Sequence, residues 1–306
     1  MTIRLPPPVR PGDRVGVAAL SGAVDPERLD AGLSALSELG FEVVPATNLG
    51  ARSDLFAGDD AERLRAFHEQ VQDRSLAAIF FARGGHGTLR VLPGIDWALV
   101  ASHPRAYVGC SDVTPFLLEV VRRTGTVAFH GPMVASDLAR GLDPAERRCL
   151  LAALAGELPL ELPVRGWIAA PAGRRVEGPL LGGCLSLLAS TLGTAWAPRL
   201  RGSVVALEDV GEPLYRLDRL LTHLRLSGSL AAVRGIVIGS MRGTDEAPGA
   251  PSSVPARVAR QAPGVPVAWG APFGHEGANW TLPLGATARF APEESALHLL
   301  PPGAAR

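Results

Sequence analysis

The chain contains no lysine, so all of its 30 basic residues are arginine. That absence excludes Schiff-base catalysis, pyridoxal attachment, the lysine of a Walker-type phosphate loop and a Ser-Lys dyad together. An excess of either charge is missing too, because 30 acidic residues cancel the arginines. With no basic block to override that balance, neither nucleic acid nor an anionic membrane is an expected partner. Cysteine is scarce. Cys110, Cys149 and Cys184 are scattered, odd in number and form no CxxC pair, which argues against a disulfide framework and a structural zinc site. The paired spacing of HExxH that a histidine metal site would want is absent as well. No window reaches the roughly 18 unbroken apolar residues that a membrane span requires. The opening stretch, "MTIRLPPPVRPGDRVGVAAL", has no long apolar core after a basic start and does not read as a signal peptide. A soluble cytoplasmic protein is the expectation.

What is present is ample apolar sequence, 47% of 306 residues, enough for a core in each of about two domains. Up to about residue 155, short apolar runs alternate with helical patterns. "RVGVAAL" precedes a helix that opens on Asp25-Pro26 and closes on Gly40. "AAIFFA", "AYVGC" and "VAFH" continue the alternation. Such a pattern predicts right-handed crossovers and a largely parallel sheet with helices on both faces. Residues 156–180, rich in Pro and Gly, read as the crossing into a second, smaller and more β-rich α+β unit. The expected domains are 1–160 and 161–306. The second contains a short helix near 185–193, the strand "SVVALEDV", the helix "PLYRLDRLLTHLRLSG" and a polar, Pro-rich loop at 241–255. The terminal "PPGAAR" is expected to fray.

In open α/β sheets ligands bind beyond the carboxyl ends of the strands. Those ends carry "ARGGHGT", "GCSD" and "HGP" in turn. Ser111 of "GCSDV" stands between a strand and a helix, where a side chain is thrust out of the sheet toward backbone N–H groups. Read alone, the pattern is ambiguous: a Ser or Asp before a helix is more often an N-cap than a nucleophile. The glycines of "ARGGHGT" let the backbone approach a ligand closely, but the loop lacks both the lysine of a P-loop and GxGxxG spacing. Among seven histidines, His86, His130 and His275 sit beside glycines at loop or strand ends, where a site could recruit them. Glu208 and Asp209 close a strongly apolar strand, so at least one carboxylate is presented at a strand end.

Taken together, "RPGDRVGVAA", "FARGGHGTLRVLPGIDW", "YVGCSDVTPFL", "FHGPM", "GPLLGGCLSLLASTLGT", "LEDVGEPLYRLDRLLTHL" and "PFGHEGANWTLPLGATARF" resemble the LD-carboxypeptidase family of serine peptidases. That family also includes the microcin C self-immunity peptidases. The resemblance implies an N-terminal nucleophile domain, a C-terminal domain carrying the other two triad members, and an active site between them. By motif it implies Ser111 as nucleophile, Glu208 and His275 as the rest of a Ser-His-Glu triad, and the backbone N–H groups of Asp112 and Gly85 as oxyanion donors. It further implies a homodimer that needs no metal or cofactor. The implied substrate is a small peptide, a murein tetrapeptide cut at an L,D amide to release D-Ala during cell-wall recycling. A peptidyl-nucleotide substrate, or a non-catalytic binding role on the same fold, are the alternatives.

Arg83, Arg90 and Arg216 lie in the shared motifs and are candidates to hold the terminal carboxylate of such a peptide, an ion pair being the blander role for each; His86 flanks the expected site, and Trp167 could stack on a base. The chain departs from the family where aromatics are common at Cys110 and His86 and Asn is common at Cys184. Strand alternation turns Cys110 toward the core, which disfavours a thiol nucleophile.

Overall fold

Short apolar runs become parallel strands here because a helix between each pair carries the chain back across the sheet. In a computed structural model, residues 2–168, 175–242, 253–291 and 294–304 are described. Part of the 156–180 crossing, most of the 241–255 loop and the last two residues of the tail lie outside them.

The chain divides into two units, residues 1–157 with 280–283, and residues 158–279 with 284–306. In the first, β1 (Arg14–Ala18), β2 (Glu42–Pro45), β3 (Leu76–Phe81), β4 (Ala106–Gly109) and β5 (Ala128–His130) lie in the order 2-1-3-4-5. All four pairings are parallel. A sixth strand, Leu282–Leu284, flanks β5.

The helix Pro26–Glu38 packs on the turn at 134–138, while the helices Asp60–Gln72, Trp97–Ser102 and Thr114–Thr124 pack on one another. Right-handed crossovers in this strand order put the two groups on opposite faces. Helix starts follow local chemistry. Asp25 accepts the Arg28 N–H with Pro26 in the first turn, and Asp143 with Glu146 forms a capping box for Pro144–Ala155. Phe116 is the hub of the core, with Phe67, Phe81 and Tyr107 ring centroids 5.2–5.3 Å away at steep angles.

The strand order reverses between β1 and β3, and the chain segments leaving these two strands meet at that switch point. Gly22 N–H donates to the Gly84 carbonyl (3.2 Å) and Arg83 Nη1 donates to the Ala23 carbonyl (2.8 Å). A crevice at such a point is where doubly wound sheets place ligands.

The second unit is richer in strand. Its sheet contains β6 (Leu160–Pro163), β7 (Gly166–Ile168), β8 (Val176–Cys184), β9 (Val204–Val210), β10 (Gly235–Arg242) and β11 (Val267–Trp269). With Leu282–Leu284 counted as β12, β13 (Thr287–Phe290) and β14 (Ala296–Leu300) complete it, in the order 6-14-13-8-9-10-11-7. The middle, β8 to β11, is parallel, and the strands on either side are antiparallel. β9 is buried without interruption from Val204 to Asp209, as a strand covered on both faces should be. Among the described residues no helix is long and apolar enough to cross a membrane.

Candidate active site

β4 ends at Gly109, and the chain makes a single tight turn over Ser111–Val113 before the helix Thr114–Thr124 begins. Ser111 has φ = 60°, one of three non-glycine residues in the left-handed region among the described residues. For an L-residue that conformation costs about 1–2 kcal/mol. Capping does not explain it. The residue preceding the helix is Val113, with Pro115 inside the first turn, and neither the turn nor the helix takes a side-chain cap. The serine is therefore held in a sharp strand-to-helix elbow, the conformation that lifts a nucleophile clear of a sheet. Cys110 is buried, in keeping with the core-facing direction read from strand alternation.

The glycine-rich loop after β3 closes over this turn. A Cβ built on Gly84 would fall 2.8 Å from Cβ and 2.9 Å from Oγ of Ser111, and 3.3 Å from the Asp112 backbone nitrogen. Only glycine allows so close an approach. Through its Cα it is Gly84, rather than Gly85, that lies against Ser111; a Cβ on Gly85 would instead meet Arg83 at 3.2 Å.

In the second unit the fully buried Glu208, near the end of β9, has Oε2 2.6 Å from Nδ1 of His275. His275 is presented by a loop whose shape depends on three neighbours. Gly274, at φ = 112°, leaves no room for a side chain: a Cβ there would fall 2.5 Å from Ser240 Oγ and 2.9 Å from Glu208 Oε2. Buried Asn279 accepts the Gly274 N–H (3.1 Å), and Ser240 Oγ accepts the Glu276 N–H (3.2 Å). Ser240 is available for this because the β9–β10 register shifts between Ile238 and Met241, a local irregularity that re-aims a side chain.

Asp209, next to Glu208, has a different task. It accepts the Ser186 N–H (2.8 Å) and the Val210 N–H (2.8 Å), tying the start of the helix Leu185–Ser190 to the strand end. Burial pushes its carboxyl above the ordinary value, against these hydrogen bonds, which lower it.

Comparison with known proteins decides the family. Residues 15–131 match the description of an LD-carboxypeptidase N-terminal domain, and residues 177–290 that of an LD-carboxypeptidase C-terminal domain. The murein tetrapeptide carboxypeptidase of Pseudomonas aeruginosa is 36% identical over 239 residues, 74% of this chain and 76% of its own length. The chain belongs to the LD-carboxypeptidase family. A solved LD-carboxypeptidase-family structure, the muramoyltetrapeptide carboxypeptidase of Oxalobacter formigenes, superposes with a TM-score of 0.83 at 29% identity, covering 94% of this chain and 98% of that one. The microcin C7 self-immunity protein, solved with aspartyl sulfamoyl adenosine, superposes at 0.85 over 97% of this chain and 98% of its own, at 22% identity. That last likeness bears on the fold alone.

Within this LD-carboxypeptidase fold the flanking residues are placed as follows. Arg83 donates to the Ala23 carbonyl, so it braces the switch point. His86 is exposed, its ring 5.6 Å from that of Phe56. Arg90 forks onto both oxygens of Asp60 and Arg216 pairs with Glu212, each an ion pair. Trp167 donates Nε1–H to the Glu294 carbonyl and stacks on Phe290 at 4.7 Å, which occupies one of its faces. Cys184 is buried with Sγ 3.2 Å from Ser186 Oγ. Among the described residues no group of three or more His, Cys, Asp or Glu side chains converges as metal ligands would.

Ser240 is not legible as a site residue in the sequence, and neither are the structural tasks of Asn279 and Asp209. The last two lie inside the quoted motifs, whereas no local signal marks Ser240, whose role follows from a register shift.

Proposed function

We propose that the protein is a serine carboxypeptidase that hydrolyses an L,D amide, with Ser111 as nucleophile, His275 as general base and acid, and Glu208 as its orienting carboxylate. The observation that carries this reading is the left-handed Ser111 elbow, a strained conformation that capping does not account for. The Glu208–His275 pair supports it. A carboxylate only accepts, so Nδ1 carries the proton and Nε2 keeps the lone pair a base requires.

In this mechanism Ser111 Oγ attacks the carbonyl carbon of the L residue while His275 Nε2 takes the hydroxyl proton. The tetrahedral oxyanion is met by the backbone N–H of Asp112 and of Gly85. Collapse expels the D-amino acid as its amine, which receives the proton from His275. Water, deprotonated by the same imidazole, then releases the acyl group and restores Ser111. No step calls on a metal or an organic cofactor. The substrate is a murein tetrapeptide losing its terminal D-Ala, and the setting is cytoplasmic recycling of wall peptides by a homodimer. The names of the Pseudomonas and Oxalobacter relatives support that substrate class.

The deciding experiment incubates wild type and Ser111→Ala with an L,D-tetrapeptide and with a peptidyl-nucleotide, assaying free D-Ala and cleaved nucleotide. Release of D-Ala by wild type alone is the expected result. Activity that survives in Ser111→Ala would remove the mechanism, and cleavage of the nucleotide alone would replace the substrate.

A further inference from the structure

One peptide group in the glycine-rich loop is gripped at both ends by buried charges. Asp112 Oδ2 accepts the Thr88 N–H at 2.8 Å, and Arg63 Nη1 donates to the Gly87 carbonyl at 3.0 Å. Gly87 C=O and Thr88 N–H belong to the same peptide unit, so an anion faces its positive end and a cation its negative end. Both interactions are charge-assisted and aligned with the peptide dipole.

All the participants are out of water: Arg63 and Thr88 are 0% exposed and Asp112 2%. Arg63, from the helix Asp60–Gln72, also reaches the Leu20 carbonyl and Asp60. The Thr88 hydroxyl meets that of buried Ser21 at 2.8 Å. The grip thus joins the segments that follow β1, β3 and β4. Gly87 is part of the fit, since a Cβ there would fall 2.5 Å from Arg63 Nη1.

We infer that Asp112 and Arg63 are positioning residues, which clamp the Gly87–Thr88 peptide and so set the glycine-rich loop against Ser111. The inference rests on Ser111 being the nucleophile. Between the end of β3 and the clamp the loop has only residues 82–87, and Gly84, in the middle, is the residue packed on Ser111. Asp112 is also the next residue after Ser111. Its carboxylate therefore holds the oxyanion side of the site in register with the serine from the same turn.

The test compares wild type, Asp112→Asn and Asp112→Ala well below each melting temperature. It measures kcat and KM on an L,D-tetrapeptide, and the rate at which a fluorophosphonate labels Ser111. Labelling forms a tetrahedral centre at Ser111 without the peptide substrate. Asp112→Ala is expected to lower kcat and the labelling rate by about 100-fold, with KM within about threefold. Asp112→Asn keeps an acceptor for the Thr88 N–H and is expected to lose only about three- to tenfold. A purely structural role would lower the melting temperature and leave both rates unchanged. Should Asp112→Ala fail to fold, the near-isosteric Asn variant decides, and wild-type rates in it would overturn the clamp. A Ser111→Ala protein that labels or turns over like wild type would remove the nucleophile assignment, and the clamp with it. Labelling confined to Ser111 with indifferent Asp112 variants would sink the clamp alone.

Discussion

His275 Nδ1 lies 2.6 Å from Glu208 Oε2, and the carboxylate that holds it is wholly buried while the imidazole is partly exposed. The contact joins residues 67 positions apart, one near the end of β9 and the other on the loop that Ser240 and Asn279 shape. A buried carboxylate acceptor at this distance fixes the imidazole tautomer, with the ring proton on Nδ1.

Replacing Glu208 with Gln keeps the shape and removes the charge that, in the proposed mechanism, stabilises an imidazolium. Glu208→Gln should lower kcat on an L,D-tetrapeptide by about 10²–10⁴ with little change in KM. Steady-state kinetics check this, and a variant with wild-type kcat would show that the pair is structural.

Gly84→Ala puts a methyl group 2.8–2.9 Å from Cβ and Oγ of Ser111, closer than carbon tolerates. Because the loop and the serine turn are both constrained, the serine side chain must shift. Displacements of about 1 Å at a reacting group cost about 10² in rate. The expected variant is folded, judged by its circular dichroism, and slower by at least that factor. Unimpaired turnover would mean that the loop yields instead.

All three cysteines are buried. Burial pushes the Cys149 thiol up to about 11 and the Cys184 thiol well above its ordinary value. Ellman's reagent should therefore leave the native protein unreacted at neutral pH over minutes, and titrate three thiols in denaturant. Iodoacetamide should leave activity intact. Rapid inactivation would bring Cys110 back as a rival to its neighbour Ser111.

Asp209 predicts a pH effect of defined sign. Its folded carboxyl titrates above the unfolded value of about 3.9, chiefly because it is buried. Between the two values the folded chain binds more protons than the unfolded one, so stability falls as pH rises through that window. Below the unfolded value both states are protonated and the penalty vanishes. Asp209→Asn keeps an acceptor for the Ser186 N–H and removes the titration. Urea melts from about pH 3.5 to 6.5 should show the variant gaining on wild type as pH rises, whereas a constant difference would contradict the assignment.

Much of this was legible in one dimension. Apolar runs punctuated by Asp-Pro starts and glycine ends forecast the parallel sheet, since short-range chemistry sets where helices begin and stop. The alternation placed Cys110 toward the core. Ser111 was not resolved that way: its neighbours suit a cap as well as an elbow, and only the backbone angle and the helix start at Thr114 separate the two. Arg63 and Ser240 were invisible for a related reason. Each acts on backbone groups brought to it from a distant segment, and no local pattern encodes such a meeting.

The sequence by itself therefore determined the order of elements, the family and the motif positions of Ser111, Glu208 and His275, all of which depend on residue type and spacing. Only the tertiary structure decided that Ser111 is strained rather than capping, that Gly84 is the loop carbon packed on it, and that Asp112 and Arg63 grip one peptide from opposite ends. These are properties of packing. They depend on where remote segments come to lie, and folding alone brings those segments together.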